Sequence, residues 1–75
     1  MYDLSVILQA FGSKVRKRRQ AKGFSQRDLA YASGLHRTYI ADVERGARNS
    51  SMGSIARIAN ALQISISDLC RGIEL

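Results

Sequence analysis

Seventy-five residues suffice for one domain and leave no room for a separate ligand-sensing domain. Twelve Lys and Arg against six Asp and Glu give a net charge of +6, which points to an anionic partner, most often nucleic acid. The single cysteine, Cys70, excludes an internal disulfide and a cysteine-based metal site and fits a reducing cytoplasm, while the apolar but short opening MYDLSVILQAFG lacks a basic leader and is read as neither a signal peptide nor a membrane span.

The chain contains no proline and no repeat, and its apolar periodicity predicts an all-α unit of five helices. The first spans Leu4–Ala21, with Leu4, Leu8, Phe11, Val15 and Arg19 at three- and four-residue steps and Ile7 beside them. Gly12 costs that helix roughly 1 kcal/mol relative to alanine, so a close packing contact is expected there. Gly23 ends it. Ser25 is an N-cap candidate for a second helix over Gln26–Ser33, and Gly34 stops that helix. A third helix follows at once over Arg37–Arg45, stopped by Gly46. Ala47–Ser51 is a polar loop. The fourth helix spans Met52–Leu62, with Ile55, Ile58, Ala59 and Leu62 as its buried stripe. The fifth spans Ile66–Arg71, opened by the capping-box-like pair Ser65 and Asp68.

Residues 25–46, SQRDLAYASGLHRTYIADVERG, therefore read as two short helices joined by a tight turn. Ala30 is small where the two helices cross closely. Gly34 can take positive φ without a Cβ penalty, and Leu29, Leu35, Ile40 and Val43 face the core. Two helices joined this way form a helix-turn-helix, whose second helix can enter the DNA major groove.

The residues from Lys14 to Leu69 resemble the Xre/Cro-type helix-turn-helix repressor family. The likeness rests on VRKRRQAKGFSQRDLA, on the A-x3-G-x5-I-x2-V spacing of Ala30, Gly34, Ile40 and Val43, and on IARIANALQISISDL. It implies a compact five-helix bundle, the lambda-repressor-like fold, acting on DNA as a dimer. Within the family, Arg37–Asn49 (RTYIADVERGARN) is similar to controller proteins of restriction–modification systems, small dimeric activator–repressors that time expression of their own operon. Two positions depart from the family. His36 stands where Ser, Thr or Asp usually caps the recognition helix, which leaves it to cap or to face DNA. Ser50 replaces a frequent proline and leaves the loop before the fourth helix less rigid.

If the third helix enters the groove, its first turn meets base edges. Arg37 can bond guanine O6 and N7 with two parallel bonds. Thr38, Tyr39, His36 and Asp42 complete the candidate base-contacting set, with Asp42 either accepting from cytosine N4 or holding Arg37. Phosphate contacts, which position without reading sequence, are assigned to Gln26 and Arg27 at the start of the second helix, and to Arg48, Asn49 and Ser51 after the third. Lys14, Arg16, Lys17 and Arg18 point around most of the first helix and contribute general field. Arg19 lies on the buried stripe, and the resemblance implies that its partner is Glu44.

Leu62, Ile64, Ile66, Leu69, Cys70, Ile73 and Leu75 are more apolar residues than so thin a core needs. Ile64, Ile66, Leu69, Cys70 and Ile73 are the expected interface of a C2 homodimer, with Cys70 as a small packing residue. Met1–Ile7 either covers the core or extends that interface. The dimer would present two recognition helices about 34 Å apart to a pseudo-palindrome in double-stranded DNA, and two dimers side by side would steepen occupancy. One histidine, no phosphate loop and no spaced carboxylate cluster argue against an enzyme. No cofactor, metal, membrane or small-molecule ligand is expected. A phage-type repressor, or an antitoxin gripping a protein partner, is the alternative on the same fold.

Overall fold

The structure is a computed structural model that describes residues 3–73. It contains five helices: α1 (Leu4–Ala21), α2 (Gln26–Ser33), α3 (Arg37–Glu44), α4 (Met52–Ala61) and α5 (Ile66–Cys70). No strand occurs among the described residues. Starts agree with the sequence reading at every helix, but α3, α4 and α5 end one residue early, with Arg45, Leu62 and Arg71 as their C-caps.

Three of the five starts follow from serine chemistry, with Asp3 capping α1 and His36 capping α3. Ser25, Ser51 and Ser65 hold extended backbone, and each hydroxyl accepts from the amide three residues on, at 3.0, 3.1 and 3.0 Å. Only at α2 is the capping box reciprocal: the Asp28 carboxylate accepts from the Ser25 amide at 2.9 Å. The box expected at Ser65 is half formed, because Asp68 instead receives Arg71 Nη2 at 2.7 Å.

The early ends of α3 and α4 have a backbone cause that apolar patterning does not register. After α1, α3 and α4 the chain closes through paired Schellman bonds. At α4 these are Gln63 N–H to Asn60 O and Ile64 N–H to Ala59 O, both 3.0 Å. The closure needs a left-handed residue. Glycine supplies it after α1 and α3, but after α4 it falls on Gln63 (φ 60°). That conformation costs an L-residue about 1–2 kcal/mol. Gln63→Gly is therefore expected to stabilise the fold by about 0.5–1 kcal/mol, after the extra unfolded-state entropy of glycine and the exposed bond from Lys22 are set against it. A higher urea midpoint at unchanged slope would register this.

Each helix contributes at least one wholly buried side chain to the same core: Val15, Leu29, Ile40 with Val43, Ile58 and Leu69. Phe11, Ala30, Ala59, Ala61 and Leu62 fill the remainder. Two residues counted as surplus apolar surface are thus core. Leu69 has 0 % exposure and offers no side-chain surface to a dimer interface, because it is the wholly buried residue of the short α5 and plugs the bundle. Leu62 lies past the end of α4 and still packs inward. At the other end of the first helix's stripe, Leu4 is exposed.

α1 and α3 cross at Gly12. A Cβ there would drive into the carbonyl oxygen of Val43 and come within 2.8 Å of that of Glu44, so only glycine permits this approach. Among the described residues no helix is long and apolar enough to cross a membrane.

Candidate nucleic-acid interface

The turn between α2 and α3 is built from three local devices. Gly34 takes φ 71°, and the Leu35 amide returns to Ala30 O at 3.2 Å. The buried Ser33 hydroxyl donates to Ala30 O and receives the Leu35 amide. His36 then caps α3, its Nδ1 accepting from the Thr38 amide at 3.2 Å. Of the two roles left open for His36, the structure shows the cap. Arg37 and Thr38 follow as the exposed first turn of α3. Among the described residues Arg37 takes part in none of the ion pairs.

The far end of α3 is anchored at Glu44. Its carboxylate receives Arg19 Nε at 2.6 Å and Arg19 Nη2 at 3.0 Å, and Gln26 Nε2 at 3.1 Å. Arg19 Nη1 donates to Phe24 O at 2.8 Å, so each of the three guanidinium nitrogens is engaged. The two charged side chains are 12 % and 4 % exposed. The hydrogen bonds that Arg19 donates to Glu44 raise the Arg19 pKa above its ordinary value, burial opposes this, and the Glu44 charge adds to it. One carboxylate thereby joins the end of α1, the start of α2 and the end of α3. It also commits the Gln26 side chain. With the Asp28 amide taken by Ser25, the backbone amides of Gln26 and Arg27 are what α2 offers a phosphate.

The loop after α3 folds back on that helix. The Arg48 guanidinium stacks over the half-buried Tyr39 ring, 4.5 Å from its centroid, and reaches Asp42 Oδ2 at 3.4 Å. Arg45 holds the other oxygen of Asp42. This corrects the reading of Asp42 as a holder of Arg37: one turn from Arg37 along the helix, it meets arginines on its C-terminal side. The Arg45 hydrogen bond lowers the Asp42 pKa. Desolvation partly opposes it, and the charges of Arg45 and Arg48 and a hydrogen bond from Arg48 reinforce it.

Arg27 and Asn49 are exposed. Ser51 is engaged as the α4 cap and also donates to Ser54 Oγ at 3.2 Å. Sequence reasoning missed Arg45 as a partner, although Asp and Arg three apart on a helix are the signal for such a pair. It also missed the Tyr39–Arg48 stack, which no helical spacing encodes because Arg48 lies in a loop.

The expected interface residues scatter. Ile66 is 38 % exposed, while Ile64, Cys70 and Ile73 are half-buried against the core. Cys70 and Ile73 instead line, with Leu4, Ile7, Leu8 and Ile55, a shallow apolar cavity of about 240 Å³ beside α1. Met1, Tyr2 and Leu75 lie outside the described residues.

With this geometry in place, the chain can be compared with known proteins. The helix-turn-helix family matches residues 15–69. Control protein C.BamHI of Bacillus amyloliquefaciens is 50 % identical over 60 residues, covering 79 % of this chain and 74 % of that protein. The crystal structure of the restriction–modification controller protein C.AhdI from Aeromonas hydrophila superposes with a TM-score of 0.81 at 48 % identity, over 83 % of this chain and 94 % of that one. Controller protein C.Esp1396I bound to a 19-base-pair DNA duplex gives 0.79 at 38 % identity, over 84 % of each chain. The chain belongs to the helix-turn-helix family and, within it, to the control proteins of restriction–modification systems.

Proposed function

We propose that this protein is a sequence-specific DNA-binding transcriptional regulator that controls a restriction–modification operon, its own gene included, as a homodimer in the cytoplasm. The observation that carries this is the exposed first turn of α3. Arg37 and Thr38 stand in solvent on a helix whose start is fixed by the Gly34 turn and the His36 cap, and whose end is fixed by Glu44. A helix held at both ends presents its side chains at a set angle, which base reading requires. The relative bound to a DNA duplex supports DNA as the partner, and 19 base pairs are long enough for two half-sites with centres about 10 bp apart.

In this reading Arg37 bonds guanine, and Thr38 and Tyr39 line the groove beside it. The α2 amides, Arg27 and the loop residues Arg48 and Asn49 hold the flanking backbone. Exposed Leu4 with half-buried Cys70 and Ile73 beside it, together with Ile64 and Ile66, supply the apolar surface of the dimer. No catalytic residue or cofactor enters it, and regulation runs through protein concentration.

The test is selection of bound sequences from a random duplex pool at near-physiological salt. A pseudo-palindrome with half-sites one turn apart supports the reading, and binding without a motif that vanishes as salt rises contradicts it. Arg37→Ala is expected to cost about 1–3 kcal/mol on the selected site and to relax one base position per half-site. A uniform loss across all sequences would instead make Arg37 a phosphate contact.

A further inference from the structure

We propose that Asp42 is a specificity-determining residue that works as an internal counter-ion: it occupies Arg45 and Arg48 and withholds them from the phosphates of non-cognate DNA. The proposal rests on the DNA-binding reading above and deepens it. Asp42 binds both arginines at once, Arg45 through Oδ1 and Arg48 through Oδ2 at 3.4 Å. The carboxylate is the shielded member of the cluster, 22 % exposed against 68 % for Arg45 and 44 % for Arg48. The Tyr39 ring lies against the Arg48 guanidinium.

Carboxylate and phosphate oxygens compete for the same guanidinium donors. A duplex docked out of register must displace Asp42 to recruit either arginine, and it brings its phosphates towards a fixed negative charge. A duplex docked in register meets an Arg48 already oriented by Tyr39 and gains contacts from α3 that offset the exchange. The pairs are exposed enough to be exchanged in this way. Asp42 therefore lowers non-cognate affinity more than cognate affinity. The charge cluster sits at the end of α3 opposite Arg37, so it filters without reading bases.

The experiment titrates wild type and Asp42→Asn against the selected duplex and a scrambled duplex of equal length, between 50 and 200 mM salt. Asp3→Asn is the charge-matched control. It removes the same charge at the N-cap of α1 and keeps a good capping residue. Each arginine released onto a phosphate adds about 0.9 to the salt slope, so Asp42→Asn on scrambled DNA should lose roughly 3.5-fold more affinity over that salt range for one arginine and about 12-fold more for both. At the low-salt end, the ratio of cognate to scrambled affinity should fall. Adding Arg45→Ala and Arg48→Ala to the Asp42→Asn chain should abolish the excess slope. Equal shifts for Asp42→Asn and Asp3→Asn would overturn the proposal, leaving only net charge. So would a loss confined to one base position, which would make Asp42 a base reader. Thermal melts of each variant separate these results from unfolding. Wild type that does not distinguish the two duplexes would overturn the regulator reading itself, and this proposal with it.

Discussion

Glu44→Ala is expected to remove about 3–5 kcal/mol of stability, the cost of leaving a buried charge without its partner. Arg19 would keep its place between Phe24 O and an empty site, with a side chain only 12 % exposed. A 75-residue domain holds roughly 4–11 kcal/mol in total at 0.05–0.15 kcal/mol per residue, so this one change should remove a large share of the stability. Urea melts of Glu44→Ala, Arg19→Met and Arg19→Met with Glu44→Leu decide the matter. The double variant should recover most of the loss, because an apolar pair of similar volume needs no desolvated charge. Single losses below about 1 kcal/mol would place the pair with ordinary surface ion pairs. The consequence for DNA binding is separate. Glu44 also holds Gln26, so the double variant should be stable yet bind its operator more weakly, with the α2 amides no longer tied to the end of α3.

The helices were legible because their signals are local. Serine caps, glycine stops and apolar spacing each act within one turn, and they place all five starts. The ends were less legible at α4, where Gln63 does a glycine's work and carries no compositional mark of it. The site divides in the same way. Arg37 and Thr38 at the exposed start of α3 follow from the turn and its spacing. Glu44 as the partner of Arg19 did not follow from spacing: the two are 25 residues apart, and only the family resemblance joined them. The Asp42 cluster escaped both routes, since its third member reaches back from a loop to an aromatic face. The excess of apolar residues near α5 was real as composition but misleading as surface, because Leu62 and Leu69 are core and Ile64, Cys70 and Ile73 pack against it.

Gly12→Ala carries the other large effect. By helix propensity alone alanine should stabilise α1 by about 1 kcal/mol. The packing reverses the sign, because the new methyl would meet the Val43 carbonyl and lie 2.8 and 3.0 Å from Glu44 O and C. These are backbone atoms and cannot rotate away, so α1 and α3 must separate. Overpacking of this kind costs about 1–3 kcal/mol beyond the propensity gain. The displaced element is the recognition helix, at the residue whose carboxylate Arg19 holds. Separation would stretch the Arg19–Glu44 bonds and tilt Arg37 and Thr38 away from the angle set by Gly34 and His36. Operator affinity should therefore fall further than the loss of folded protein accounts for, which titration well below the melting temperature can measure. Gly12→Ala that is more stable than wild type and binds its operator equally would mean that the α1–α3 crossing has slack, and that α3 is positioned by the turn alone.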